Sequence, residues 1–423
     1  MRLIITLALI EPCGQSEDAL LPNYVRTKFS EYYQRRSLNI QPQSSLKERE
    51  FGFLLFDGKA MLRHKGFKSA ADLESSLETI VPSDAFYSCA YYQSPDADMD
   101  KKGWQGADLV FDIDADHIPT PCGKVHDTWV CNHCGFAGKG PSPDECPACR
   151  ESKFEDKTWT CDVCLDAAKE ETTKLLDMLK GDFGFTNHEL SAYFSGNRGY
   201  HVHVENQGIR TLDSMARKEI VDYVVGLGLK AEFHELITGG KLMLAPESTG
   251  WKARIASGIR KLLAEAESAP IGQLGLSQRS TSFLIANSEK LRENLEAKQW
   301  LSVKGVGVKN WKKIIQWIVD QQSSKIDTVV TTDIHRLIRL AGSLHGKTGF
   351  VKTQVPSNSF SEFDPLKEGI AFKEGQAVVD ITETPEFRIG DTVYGPFKNA
   401  SHVELPTAAA VFLLCKGAAQ LVE

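Results

Sequence analysis

Seven of the ten cysteines in this 423-residue chain fall between Cys122 and Cys164. The segment that carries them has prolines and glycines but little hydrophobic periodicity, so an apolar core cannot give it its shape. Disulfide frameworks are typical of small secreted chains, whereas dense Cys-x-x-Cys pairs in a large chain without a credible export signal indicate metal binding. We therefore expect thiolate–zinc sites here, in a protein of the reducing cytoplasm.

The two central cysteine pairs have the spacing of a four-thiolate zinc ribbon. Cys131-x-x-Cys134 and Cys146-x-x-Cys149 are separated by eleven residues. Each pair can form a knuckle whose two sulfurs share one Zn²⁺. Because four protein ligands leave no open position on the ion, we expect a structural site.

A third pair, Cys161-x-x-Cys164, remains after the ribbon is assigned. Cys122 and His126 lie upstream as partners, so we predict a second structural zinc site with these four ligands. His133 competes with His126 for this role, but it lies inside the first knuckle.

Composition limits what the whole chain can be. Hydrophobic residues make up 42% and charged residues 25%, which is typical of a soluble globular protein of two or three domains. No apolar run approaches the ~20 residues of a membrane span. The net charge of −7 argues against a wholly basic nucleic-acid binder but leaves room for a local basic groove. We expect Leu3–Ile10 to be a strand rather than a signal peptide, since no small-residue cleavage site follows it.

The patterning predicts an α+β protein. Helices are expected at 24–37, 70–80, 165–180, 212–227 and 406–421, and strands within 49–63 (joined at Asp57-Gly58), at 107–114, 190–194 and 200–205, and near 326. Residues 255–322 have a helical and rather basic pattern. We expect one large α+β core, 1–254 and 323–423, with a zinc-binding insertion at 119–165 and a small helical subdomain at 255–322.

Two carboxylates alternate along an otherwise apolar strand. Asp112 and Asp114 would share one face, while Phe111 and Ile113 point into the core. Two carboxylates this close repel unless a cation lies between them, and oxygen ligands favour Mg²⁺ or Mn²⁺. The alternative is a pair of solvated aspartates at the end of an edge strand, which the apolar surroundings disfavour.

A glycine-flanked loop supplies groups that suit phosphate. In the segment 195–199, Ser195 offers a hydroxyl and Arg198 a guanidinium, and the glycines allow close backbone approach. His201 and His203 follow on one strand face. The alternative is an ordinary glycine hairpin with surface histidines.

Basic residues recur after Asp327. Arg336 and Arg339 are three apart, which would place them on one helical face, and His345 lies in a glycine-flanked loop with Lys347. Basic groups near carboxylates suggest a triphosphate bound together with a metal, the alternative being a solvated basic helix. The Gly305-Val306-Gly307 segment, with lysines around it, is better explained by a plain basic helix than by a helix–hairpin–helix phosphate binder.

Taken in order, these segments resemble the catalytic (small) subunit family of archaeal and eukaryotic DNA primases, the archaeal form most closely. The resemblance rests on 106–116, 195–201, Asp327 and 336–349, and it covers the chain from about 24 to 421. It implies an α+β primase–polymerase catalytic core that synthesises short RNA primers from nucleoside triphosphates on single-stranded DNA. It also implies a heterodimer with a large primase subunit.

The resemblance assigns roles by position. It implies that three aspartates hold two Mg²⁺ or Mn²⁺ ions and that six other residues contact the triphosphate: Asp112, Asp114 and Asp327 in the first set, and Ser195, Arg198, His201, Arg336, Arg339 and His345 in the second. This chain departs from shorter family members by carrying a complete Cys131–Cys149 ribbon inside the family's zinc knuckle. It also has Asn197 where other members have arginine.

Two other functions stay open at this point. One is a repair or plasmid primase–polymerase that prefers deoxynucleotides. The other is a non-catalytic zinc-ribbon subunit that binds nucleic acid. An intact carboxylate triad argues against the second, because a binding module has no use for three clustered acids.

Overall fold

The computed structural model describes residues 21–35, 40, 44–56, 61–230, 237–238, 241–242, 249–266, 270–296, 301–302, 305–356 and 359–422. The expected strand at Leu3–Ile10 and the Asp57-Gly58 turn lie outside the described residues. The described helices, numbered in chain order, are α1 (Leu21–Tyr33), α2 (Ala70–Ile80), α3 (Asp162–Gly181), α4 (Ser214–Val224), α5 (Gly250–Ala264), α6 (Gln278–Ala286), α7 (Ser288–Glu296), α8 (Val308–Gln322), α9 (Thr328–Thr332), α10 (Pro365–Glu368) and α11 (Thr407–Cys415).

Two antiparallel four-stranded sheets carry most of the residues singled out above. The first has the order β15 (Leu337–Arg339), β3 (Asp84–Ser88), β1 (Phe51–Leu54) and β2 (Met61–Lys65). The second has the order β16 (Thr353–Val355), β10 (Leu190–Phe194), β11 (Gly199–Val204) and β6 (Leu109–Asp114).

The remaining described strands form smaller sheets. They are β4 (Ala90–Tyr92) with β5 (Trp104–Ala107); β8 (Ala137–Lys139), β7 (Thr128–Cys131) and β9 (Phe154–Lys157); β12 (Ile237–Thr238), β13 (Lys241–Leu242) and β14 (Leu301–Ser302); β20 (Phe397–Pro406), β17 (Gln376–Thr384) and β21 (Ala419–Leu421); and β18 (Phe387–Ile389) with β19 (Thr392–Tyr394). Strands and helices together give the mixed α+β architecture that the patterning predicts.

The second sheet separates an apolar face from a polar one. Phe111 and Ile113 are fully buried, whereas Asp112 and Asp114 on the other face are half-buried. Helix α3 packs against β6 and β11. Gly199 pairs with Asp114 where a Cβ atom would lie only 2.0 Å from the carbonyl oxygen of Ile113, so this register requires glycine. The predicted alternation along β6 is therefore confirmed.

Three local predictions are wrong. Arg336 and Arg339 do not share a helical face, because 337–339 is strand β15, paired with β3. The residues after Asp327, expected to be strand, form the short helix α9. The C-terminal helix ends at Cys415, since Gly417 takes a φ of 59° and the chain then pairs with β17 as β21. In each case tertiary pairing or a turn decides the outcome over local propensity.

The described part of 255–322 is predominantly helical, as predicted, but α5 begins earlier, at Gly250. Trp251 on its first turn donates its indole N–H to the carbonyl of Tyr223 in α4, at 2.9 Å. The expected boundary at 254/255 thus falls inside a helix. Among the described helices, none has the length and apolar character needed to cross a membrane.

Candidate active site

The backbone brings Asp327 next to the carboxylates of β6. The amide N–H of Asp327 donates to the carbonyl of Asp112 at 2.8 Å. Its carboxylate caps α9 by accepting the N–H of Val329 at 2.9 Å, while Asp114 accepts the N–H of Asp116 at 2.9 Å. One long-range hydrogen bond therefore brings Asp327, which is far away in sequence, to the strand that carries Asp112 and Asp114.

These acids repel one another. Burial, together with the charges of Asp114 and Asp327, raises the pKa of Asp112 to about 7. Burial also raises the pKa of Asp114. Carboxylates that share a site resist full ionisation, and a divalent cation relieves that repulsion. The donor set, three carboxylates, therefore fits Mg²⁺ or Mn²⁺.

His201 lies on β11 directly opposite Asp112, with its Nε2 atom 3.5 Å from the Asp112 carboxylate. Burial, together with the nearby Lys352 charge, holds the pKa of His201 well below its ordinary value. The imidazole is therefore neutral at physiological pH. The alternative of surface histidines is wrong, since His201 and His203 are both buried.

The glycine loop holds polar atoms that lack partners. The side-chain Oδ1 atom of Asn197, Arg198 Nε and His201 Nδ1 are each buried without a hydrogen bond in the described part of the chain. Buried polar atoms are nearly always satisfied, so these three exceptions, close together in sequence, leave hydrogen-bonding capacity for a water molecule or a polar ligand. Gly196, with a φ of 88°, lets the loop approach His345, whose Cβ would lie 3.0 Å from an added methyl group. Ser195 accepts the N–H of Asn197 at 3.3 Å.

Arg339 and His345 meet around Asp84, which the sequence did not single out. Arg339 forms an ion pair with the Asp84 carboxylate and donates to the carbonyl of Leu344 at 3.2 Å. The N–H of Gly346, beside His345, donates to Asp84 at 3.0 Å. Arg336 lies close enough to Asp112 for its charge to oppose the rise in the pKa of Asp112.

Two buried lysines near this region were also missed. Lys352 donates to the carbonyl of Arg339 at 2.7 Å and lies 3.3 Å from His203 Nε2, and burial holds its pKa well below its ordinary value. Burial, with repulsion from Arg198 and Lys347, lowers the pKa of Lys416 to about 7. Neither residue carries a local sequence pattern, because only the fold brings it here.

Arg198 is held by carboxylates. It is 1% exposed, pairs with Asp116 and lies 2.7 Å from the Asp127 carboxylate. Burial lowers its pKa to about 10 despite the charge of Asp114. A guanidinium remains cationic at that value, so Arg198 brings a fixed positive charge to the glycine loop.

The predicted zinc ligands come together as two groups, each with donor atoms within 4.8 Å of one another: Cys131, Cys134, Cys146 and Cys149 (the Cys131 cluster), and Cys122, His126, Cys161 and Cys164 (the Cys122 cluster). Sulfur–sulfur separations include 3.6 Å for Cys122–Cys164 and for Cys131–Cys149. Tetrahedral Zn–S bonds of about 2.3 Å require about 3.8 Å between sulfurs. Both donor sets fit zinc, and His133 belongs to neither.

Comparison with known proteins gives concordant matches. The family model described as DNA primase small subunit matches residues 143–356. The DNA primase small subunit PriS of Methanothrix thermoacetophila is 32% identical, with 94% of this chain and 98% of that protein covered. The PriS proteins of Methanococcoides burtonii and Nitrosopumilus maritimus are 31% and 30% identical, with 94% and 93% of this chain and 97% and 96% of those proteins covered.

Proposed function

We propose, from the premise that this chain belongs to the DNA primase small subunit family, that Asp112, Asp114 and Asp327 are its catalytic metal ligands. Membership makes the chain a nucleotidyltransferase that synthesises primers for DNA replication. The proposal concerns which residues carry that chemistry. The observation that supports it most is the hydrogen bond from Asp327 to the Asp112 backbone, within a group of mutually repelling carboxylates.

In this proposal Asp112, Asp114 and Asp327 would together hold two Mg²⁺ or Mn²⁺ ions, with Asp327 as a ligand of one of them. When bound, the ions activate the 3′-hydroxyl and neutralise the leaving pyrophosphate. The carboxylates fix where the positive charge lies, because β6 and the α9 cap hold them in place. The number of ions is taken from the family resemblance. The three carboxylates of this chain are a donor set that suits two divalent ions.

The basic and polar residues around the loop bind the triphosphate. The set comprises Ser195, Arg198, His201, Arg336, Arg339 and His345. Their cationic and hydrogen-bonding groups bind the charged oxygens of the β- and γ-phosphates. The unpartnered atoms support this location, because a phosphate oxygen would accept from Arg198 Nε and a nucleotide hydroxyl would donate to Asn197 Oδ1.

We assign one structural Zn²⁺ to each Cys cluster, since four protein ligands close the coordination sphere. We also propose that the residues before α5, together with 323–423, form the catalytic core, with the zinc-binding insertion at 119–165 and a helical subdomain that begins with α5 at Gly250 and ends at 322. The partners are a single-stranded DNA template, nucleoside triphosphates and a large primase subunit, which the small-subunit name of the relatives implies.

Unprimed synthesis on a single-stranded DNA template tests this proposal. Wild type is expected to make primers only with Mg²⁺ or Mn²⁺, and Asp114→Asn to make none. Asp100→Asn, at an exposed position, is the matched control and should behave as wild type. Synthesis by Asp114→Asn at the wild-type rate, or synthesis by wild type without divalent metal, would overturn the metal-ligand assignment. Parallel reactions with ribo- and deoxynucleotides decide which primer is made.

A further inference from the structure

The carboxylate of Asp127 joins three separate parts of the chain. His126 Nδ1 lies 2.8 Å from its Oδ1 atom, and the backbone N–H of Trp159 donates to the same oxygen at 2.8 Å. Arg198 Nη1 donates to both oxygens, at 3.0 and 2.7 Å. With its side chain 7% exposed, Asp127 is a buried junction rather than a surface acid.

One arm of this junction reaches the Cys122 cluster. His126 Nε2 lies 3.5 Å from the sulfurs of Cys122 and Cys164. A histidine that ligates zinc through Nε2 leaves its Nδ1–H free to donate, and a carboxylate acceptor there fixes the ring orientation and raises its basicity as a ligand. Asp127 occupies that acceptor position.

The other arm reaches the glycine loop. Arg198 pairs with Asp116 as well as with Asp127, and its carbonyl accepts the N–H of Ala115 at 3.1 Å. Ala115 follows Asp114 directly. Two carboxylates thus set the plane of the guanidinium, and its buried Nε is left without a partner. The orientation of this group depends on Asp127.

The junction also explains how a ribbon can be inserted here. Strand β7 begins at Thr128, next to Asp127, and β9 ends at Lys157, near Trp159. The bond between Asp127 and the Trp159 N–H closes the base of the insertion. Residues 128–157 can therefore extend outward while the junction beneath them keeps its geometry.

We propose that Asp127 is a positioning residue that couples the Cys122 zinc site to the nucleotide site by holding His126 and Arg198 in one hydrogen-bonded unit. The zinc arm stands on geometry alone. The nucleotide arm rests on the proposed function, which assigns Arg198 to the triphosphate. Asp127 touches neither substrate nor reacting atoms.

The first test uses Asp127→Asn, which keeps the size of the side chain and removes its charge. Release of one zinc per chain to a zinc-selective chelator should become about 10–100-fold faster. The KM for nucleotide should rise about tenfold with kcat within about threefold, because a misoriented guanidinium weakens binding of the triphosphate in ground and transition states alike. Asp156→Asn, at an exposed position of β9, is the control and should change neither.

A merely structural role predicts a different pattern. Loss of folded molecules would lower kcat and leave KM unchanged, and that result would overturn the proposal. In the double variant Asp127→Asn/Arg198→Lys, the effects on KM should be far from additive, since both changes remove the same contact. Additive effects, or unchanged zinc release in Asp127→Asn, would also contradict it.

The coupling between the two sites can also be measured on the wild-type protein, so the result does not depend on whether a variant folds. By linkage, saturating ATP that engages Arg198 should change the zinc affinity of the Cys122 cluster, measured by equilibrium competition with a chelator, at least about threefold. The Cys131 cluster serves as the internal reference and should not respond. If neither cluster responds, the proposed coupling of Asp127 to the nucleotide site is wrong. Synthesis by Asp114→Asn would instead remove the proposed function while leaving the zinc-release effect of Asp127→Asn intact.

Discussion

The two Cys clusters and the three aspartates Asp112, Asp114 and Asp327 bring their ligand atoms together in different ways. Donor atoms of each Cys cluster lie within 4.8 Å of one another, and the three carboxylates are not among the described groups that meet this limit. Neutral thiols and imidazoles pack closely without charge repulsion, whereas burial, together with the charges of Asp114 and Asp327, raises the pKa of Asp112 to about 7. The difference teaches that the local fold draws the thiol and imidazole groups together, whereas the three carboxylates form a buried, mutually repelling group whose repulsion a divalent cation would relieve.

The largest effect is expected from a substitution among the three carboxylates. Asp112→Ala should lower the rate of primer synthesis at least about a thousandfold, since several kcal/mol of charge stabilisation depend on the ions it holds. It should not destabilise the fold, because it removes a repelling group. Rate measurements and chemical denaturation of the same preparation check both parts. A thousandfold loss accompanied by unfolding would show instead that Asp112 supports the structure.

The next largest effect, on the stability of the fold, is expected at the Cys122 cluster. Cys164→Ser should lower the free energy of unfolding by about 3–5 kcal/mol and remove one zinc per chain, because this fully buried sulfur anchors α3 to the cluster. Denaturant unfolding and zinc analysis measure it. Unchanged stability with one zinc lost would mean that this ion is not part of the core.

The pH dependence of Mn²⁺ binding tests whether the carboxylates carry a proton that the metal ion must displace. The pKa of Asp112 in the folded protein is about 7, above its ordinary 3.8. Below pH 7 the folded protein therefore carries a proton that must leave when a divalent ion binds. The Mn²⁺ affinity should be constant above pH 7 and fall about tenfold per pH unit below it. Affinity that stays flat from pH 5 to 8 would contradict the assigned repulsion.

The smallest effect is expected at the Cys131 cluster. Cys134 is exposed, and the ribbon has its own sheet and aromatic packing, with Trp129 against Phe154 at 5.2 Å between ring centroids. Cys134→Ser should remove one zinc and change the unfolding free energy of the core by less than about 1 kcal/mol. Unfolding followed by the circular dichroism of the core checks this, and a loss as large as that of Cys164→Ser would erase the distinction between the clusters.

The sequence predicts best what is local. Cys-x-x-Cys spacing identifies both clusters, and the alternation along β6 places Asp112 and Asp114 on one face. The role of Asp327 as a metal ligand came only from the family resemblance, because nothing nearby in sequence marks it as a partner of β6.

Residues that act across the fold escaped sequence reasoning. Asp84 forms an ion pair with Arg339, which lies on the neighbouring strand β15. Lys352 reaches His203 across the second sheet, and Asp127 joins His126 of the Cys122 cluster to Arg198 of the glycine loop. The helical face assigned to Arg336 and Arg339 failed for the same reason. Strand pairing between distant segments decides these positions, and no local period records it.

Mn²⁺ titration followed by electron paramagnetic resonance, on zinc-loaded protein at pH 8, tests the carboxylate centre most directly. Wild type should bind two Mn²⁺ per chain with nucleotide present. Asp327→Asn should weaken one of the two at least about tenfold, because it removes a ligand from only one ion. Equal binding of both ions by wild type and Asp327→Asn would contradict the assignment of this residue to the metal site.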